Sequence, residues 1–182
     1  MAVRPVRIYG DPVLRQKAVE VVDFDAALRD LVADLRDTMA AYRGVGLAAN
    51  QVGVLLRALV VDVPLEDERH ERWTLVNPVI TSRSGSESGE EGCLSIPGIY
   101  EEVTRSRHIA VTARDENGQP LNLEAEGYLA RAIQHEVDHL DGVLFVDRLS
   151  ILKRQFLRRS LEAMARGEMP EDFSPPVPGG SR

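Results

Sequence analysis

The chain is short of several things, and each shortage narrows its class. Its 182 residues hold one cysteine, Cys93, which excludes a disulfide within the chain and fits a reducing, cytoplasmic home. No apolar run approaches the roughly 18 residues of a membrane helix, so no membrane role is expected. The first ten residues carry Arg4 and Arg7 without an apolar core, and no secretory signal is read there. Positive charge is in deficit: 22 Lys and Arg face 29 Asp and Glu, for a net charge of −7, a poor balance for a DNA binder. Internal repeats are absent too. What remains is 43% hydrophobic, which excludes wholesale disorder. The length suits one domain, able to bury roughly 70% of its extended surface.

Residues 1–168 read as that single domain, and the Pro/Gly-rich stretch over 169–182 as a flexible tail. Leu28, Leu31, Val32, Leu35, Met39 and Tyr42 form one helical stripe, predicting a helix over 25–42 with an Asp cap at its start and Gly44 after its end. Strand signals follow at 57–63, 73–80 (with Pro78 placing part of it on an edge), 108–113 and 119–124. The last two flank the turn Asp115-Glu116-Asn117-Gly118. Residues 84–89 read as a loop. A second helix is predicted over 127–141 with Gly142 as its stop, its apolar face made by Leu129, Ile133, Val137 and Leu140. A third is predicted over 150–166, with Leu149, Leu152, Phe156, Leu161 and Met164 as its buried face. Short strands mixed with three helices, without βαβ alternation, argue an α+β fold: small antiparallel or mixed sheets around a central helix, with one helix before it and one after.

That central helix carries His135-Glu136-Val137-Asp138-His139, an H-E-x-x-H pentad holding half of the four histidines. Positions four apart leave nearly the same helix face, so both imidazoles can bind one metal ion. Glu136 is turned aside from that face, close enough to serve as a general base but not as a further ligand. The bland alternative is a helix surface that happens to carry two histidines and some acids.

A catalytic metal of this type takes three protein ligands. Downstream of Gly142 there is no histidine; Asp147 is the nearest acid, and Glu162 and Glu168 lie on or beyond the last predicted helix. Upstream, Glu91-Gly92-Cys93-Leu94-Ser95 offers the only thiol. A lone cysteine is ordinarily a small buried hydrophobe, but beside a pentad lacking its third ligand it is the stronger candidate. A Cys/His/His set suits Zn²⁺ or Fe²⁺. The third segment is Gly44-Val45-Gly46-Leu47-Ala48-Ala49-Asn50-Gln51, thin enough for another backbone to lie against it. Its Gln51 amide could hold a developing oxyanion, or be the solvated side chain of a tight turn.

Together the three segments resemble the peptide deformylases: G-x-G-L-A-A-x-Q over 44–51, E-G-C-L-S over 91–95 and Q-H-E-x-D-H-L-x-G over 134–142. The resemblance covers roughly residues 5–165. It implies that Cys93, His135 and His139 are the metal ligands, that Glu136 is the catalytic acid and base, and that the Gln51 amide and the Leu94 N–H form the oxyanion hole. It implies substrate contacts at Gly46 through its backbone, and a methionine pocket for which Val45, Tyr128 and Ala132 are candidates. Glu91 is a candidate substrate-site residue and a plausible orienter of a ligand, with Asp138 and Arg105 paired beneath. Ile99 and Tyr100 stand where some relatives carry an arginine. The implied cofactor is one divalent ion, Fe²⁺ in cells, with Zn²⁺, Ni²⁺ or Co²⁺ possible. The implied substrate is the N-formylmethionyl end of a new polypeptide, hydrolysed to formate and a free amino terminus.

Two other readings compete: a zincin-type metallopeptidase, which leaves Cys93 and the glycine-rich segment without a role, and a non-catalytic metal-binding module, which would need a fourth protein ligand. The acidic net charge hides one exception. Residues 148–166 hold six basic side chains against one acid, so the last helix could touch ribosomal RNA, or simply be a solvated face.

Overall fold

A computed structural model describes residues 2–65, 69–171, 173 and 175. It shows the α+β architecture read from the sequence. Three α-helices, α1 (Ala26–Ala41), α2 (Gly127–Leu140) and α3 (Ile151–Ala165), combine with seven strands. The strands are β1 (Gly46–Ala48), β2 (Ala58–Pro64), β3 (His70–Ser84), β4 (Glu87–Cys93), β5 (Ile96–Arg105), β6 (His108–Arg114) and β7 (Pro120–Glu126). Five of them form an antiparallel sheet in the order β1-β2-β3-β6-β7, and β4 and β5 form a separate hairpin. No helix among the described residues is long and apolar enough to cross a membrane.

The sheet lies between α1 and α2, and β2 shows why. Its side chains alternate between faces. Ala58 and Val60 pack with Leu28, Leu31, Val32 and Leu35 of α1, whereas Leu59, Val61 and Val63 pack with Leu129, Ile133, Val137 and Leu140 of α2. A strand buried on both sides is apolar on both faces, as β2 is over Ala58–Val61; Asp62 beyond them is half-buried and pairs with His70 and Arg72. Asp25 caps α1, its side chain accepting from the Leu28 N–H. Gly142 follows α2 with φ 74°, where a Cβ would stand 2.6 Å from the Arg15 carbonyl oxygen. Burial at this contact and the left-handed backbone both require glycine.

Several sequence expectations need correction. The strand expected over 73–80 runs from His70 to Ser84. It breaks register at Asn77 (φ 53°) and Pro78, where β3 leaves β2 and continues along β6. Proline is tolerated at such a bulge. Half of the expected loop at 84–89, residues 87–89, is the start of β4, and Ser84 ends β3. Its Glu/Ser/Gly composition is poor in strand formers, and pairing with β5 imposes the extended form. On α3, Leu152 and Phe156 face solvent at 62% and 78% exposure. The helix docks through Leu161 and Met164 only, with Leu157 partly covered, against a third cluster that includes Leu14, Ile96, Phe145 and Leu149. Met169, assigned to the tail, packs on that cluster, and Pro170 lies over Gly98. Residues 172, 174 and 176–182 of the expected tail lie outside the described residues.

Candidate active site and metal centre

α2 is buried on all sides from Leu129 to Leu140, so its polar residues face an interior site rather than water. The i, i+4 spacing brings His135 and His139 together with their Nε2 atoms 3.2 Å apart. Cys93, at the end of β4, places Sγ 3.2 Å from His139 Nε2. The three donor atoms lie within 4.8 Å of one another. Asp147, the alternative third ligand, is elsewhere: it forms an ion pair with Arg15 and accepts from the Leu144 N–H.

The donor chemistry fits a divalent ion. One thiol and two imidazole nitrogens converge; the His135 ring is held so that Nε2 points inward, while His139 Nδ1 has no hydrogen-bond partner among the described residues. His135 Nδ1 donates to Glu91 Oε2 at 2.9 Å, which fixes its tautomer, and Phe145 stacks behind the ring at 6.1 Å between centroids. Burial holds His139 well below the usual histidine range, aided by His135 and Arg105, whereas burial at His135 is outweighed by Cys93 and Glu91, which hold it well above that range. A metal requires the neutral form of both rings, so its binding would release a proton from His135.

Glu91 is not open to a substrate. It is buried, and each carboxylate oxygen takes two donors: Arg105 Nε and Arg131 Nη1 on Oε1, Arg105 Nη2 and His135 Nδ1 on Oε2. Burial alone would raise its pKa, but the Arg105 fork and His135 outweigh that and hold it at about 2. Arg105 also donates to Asp138 at 2.5 Å, and Arg148 closes the chain on the other Asp138 oxygen at 2.6 Å. The resemblance implied the Arg105–Asp138 pair; it did not point to Arg131 or Arg148.

Glu136 sits buried beside the candidate ligands. Burial pushes its carboxyl up to about 7, against the pull of His135, and Oε2 has no hydrogen-bond partner among the described residues. Gly46 makes room for it. A Cβ on Gly46 would stand 2.5 Å from Glu136 Oε1. Two residues on, the Ala48 N–H donates to Gln51 Oε1 at 2.8 Å. This aims Gln51 Nε2 at Cys93 Sγ (3.7 Å) and Ser95 Oγ (3.2 Å). Asn50, beside it, donates to the His139 carbonyl oxygen and ties the segment to α2. Leu94 occupies the turn between β4 and β5, its side chain resting over Gly44. Of the methionine-pocket candidates, Val45 is half-buried, Tyr128 is half-exposed at the start of α2, and Ala132 is buried with the sheet-facing core. Ile99 is buried, and Tyr100 is exposed with its ring against Gly92.

A thiol and two imidazoles that could hold one ion, with a raised carboxyl beside them and three candidate ligands rather than four among the described residues, fit a metal-dependent hydrolase. Comparisons sharpen the class. The polypeptide deformylase family model matches residues 3–155. A peptide deformylase of Alkalilimnicola ehrlichii is 48% identical over 166 residues, covering 91% of this chain and 93% of that protein. The crystal structure of a peptide deformylase from Legionella pneumophila superposes with a TM-score of 0.83 at 44% identity, covering 93% of this chain and 100% of that one. The peptide deformylase of Ehrlichia chaffeensis in complex with actinonin gives 0.85 at 39% identity, covering 93% and 100%. The chain belongs to the polypeptide deformylase family.

Proposed function

We propose that this protein hydrolyses the N-formyl group from the N-terminal formylmethionine of newly made polypeptides, releasing formate. The observation that carries the reading is the convergence of Cys93, His135 and His139 beside the partnerless carboxylate oxygen of Glu136. A divalent ion held by those three side chains supplies Lewis acidity toward the formyl oxygen and the attacking water. Glu136 takes a proton from that water, and a C–O bond forms at the formyl carbon. Gln51 Nε2 and the Leu94 N–H donate to the resulting oxyanion. Glu136 returns the proton to the amine nitrogen as the C–N bond breaks, leaving formate and a free amino terminus.

The peptide is held along β1. That strand ends the sheet, so an extended backbone can pair with its outer edge at Gly46. Val45, Tyr128 and Ala132 line the path of the methionine side chain, with Tyr100 at the rim. Glu91 acts on His135 rather than on substrate. The N and S donors accept Fe²⁺ in cells and Zn²⁺, Ni²⁺ or Co²⁺ as substitutes. The protein works in the cytoplasm, where its substrate is made.

Contact with the ribosome through α3 rests on a smaller surface than the residue count suggests. Arg148 pairs with Asp138, Lys153 with Glu101, Arg158 with Glu162 and Arg166 with Glu168. Arg154 and Arg159 are the exposed basic groups of α3 without such a partner among the described residues. Salt-sensitive ribosome binding that weakens on replacing these two arginines supports this contact; salt-independent binding opposes it.

The test of the function is formate release from a formyl-Met tripeptide by anaerobically purified protein, with metal content measured on the same sample. Formate and deformylated peptide in equal amounts, without internal cleavage, are expected. Cleavage within the peptide would restore the zincin reading.

A further inference from the structure

Arg131 lies on α2 one turn before His135 and has no part in the chemistry above, yet its side chain is 9% exposed. Nη1 donates to Glu91 Oε1 and to the Val103 carbonyl oxygen, both at 2.8 Å, and to Gly89 O at 3.3 Å. Nη2 donates to the Glu87 carbonyl oxygen at 2.8 Å. The guanidinium therefore joins α2 to both strands of the β4–β5 hairpin. Gly89 admits it: a Cβ there would stand 3.1 Å from Arg131 Cζ.

The two bodies so joined are the two that supply the ligands. The hairpin brings Cys93, and α2 brings His135 and His139. We propose that Arg131 is a positioning residue for the metal centre, clamping the hairpin to α2 so that the Cys93 thiol meets both imidazoles and Glu91 stays on His135. Charge is the lesser part of this role. Arg105 already grips Glu91 with two nitrogens, while three of Arg131's four acceptors are strand carbonyls, which fix position. A planar fork spans such acceptors; an ammonium does not.

The inference rests on the metal centre proposed above but not on the identity of the substrate. The test uses full-length protein loaded with Co²⁺, comparing wild type with Arg131→Met, Arg131→Lys and Gly89→Ala. Three quantities are read: the rate of Co²⁺ release to a chelator, the thiolate-to-cobalt absorption, and kcat and KM on a formyl-Met tripeptide. Arg131→Met should release metal about tenfold faster or more, the usual cost of losing a group that orients a ligand. Its absorption should shift, and kcat should fall with KM unchanged. Arg131→Lys should not restore these values. Gly89→Ala, which leaves the ligands and Arg131 in the sequence, should move all three the same way by crowding the guanidinium. Wild-type release and absorption in Arg131→Met and Gly89→Ala, with only a lowered melting temperature, overturn the proposal. So does full restoration by lysine. If Arg131→Met fails to fold, Gly89→Ala decides. A wild-type protein that holds Co²⁺ but releases no formate defeats the functional reading and leaves the clamp measurable.

Discussion

Replacing Gly46 with alanine tests the site at its tightest point. The added Cβ would stand 2.5 Å from Glu136 Oε1, 2.9 Å from Cγ and 3.0 Å from Cδ. Ordinary contact begins near 3.4 Å, so the carboxylate must retreat by about 1 Å, a misplacement able to cost about 100-fold in rate. Retreat is hard, because Glu136 is buried within a close-packed helix. Overpacking of this kind also lowers stability by about 1–3 kcal/mol. The ligands lie on other side chains, so metal content should not change. The assay is formate release at saturating substrate, with metal content and melting temperature on the same preparation. The expected result is a kcat lowered about 100-fold in a folded, fully loaded protein. A Gly46→Ala protein with wild-type kcat would refute the claim that this glycine exists to seat Glu136.

Glu136→Ala should keep its metal and lose about 10²-fold or more in kcat, the usual contribution of a general base; robust turnover sinks the assignment. Cys93→Ser should lower metal retention, and unchanged metal content by elemental analysis would refute Cys93 as a ligand. Away from the site, Asp34 accepts from the Ala2 N–H at 2.7 Å and from Arg4 Nε at 2.9 Å. Burial works to raise its pKa, but the Arg4 and Ala2 bonds outweigh it and hold it below 3.8. Its stabilising effect is thus present above that value and fades as pH falls through the lower folded value. Asp34→Asn should melt earlier than wild type at pH 7, with the gap closing in strong acid; a gap constant with pH would refute the linkage.

The sequence disclosed the site more fully than the surface around it. H-E-x-x-H works through helix geometry, which is local, so the meeting of His135 and His139 follows from their spacing alone. Cys93 needed a different argument, the shortage of a third ligand, because nothing within a few residues of it predicts docking against α2. Arg131 was missed for the same reason: its acceptors are strand carbonyls 28 to 44 positions away, and backbone acceptors leave no mark in side-chain identity. A buried arginine four residues before a ligand histidine was the available signal. β2 was legible because burial on both faces makes it apolar at every position but Asp62 up to Val63. β4 was not, since Glu-Ser-Gly-Glu-Glu-Gly gains its extended form from β5. On α3, periodicity correctly predicted a helix and misjudged its covered face, because Leu152 and Phe156 repeat at helical spacing where no partner surface reaches them.

The proposed ligands Cys93, His135 and His139 are split between a hairpin and a helix that belong to different hydrophobic clusters. An ion bound there would be a crosslink between two packing units that also meet through loops, polar contacts and the stacking of Phe145 on His135. Its affinity then adds to the cohesion of the whole fold by mass action, and the melting temperature should rise with free metal concentration. Stripping the ion should loosen the β4–β5 hairpin first, leaving the sheet and α1 intact, so that amide exchange would report loss of metal at residues 87–105 before anywhere else. Catalytic competence and mechanical integrity would in this sense be one property of the proposed site.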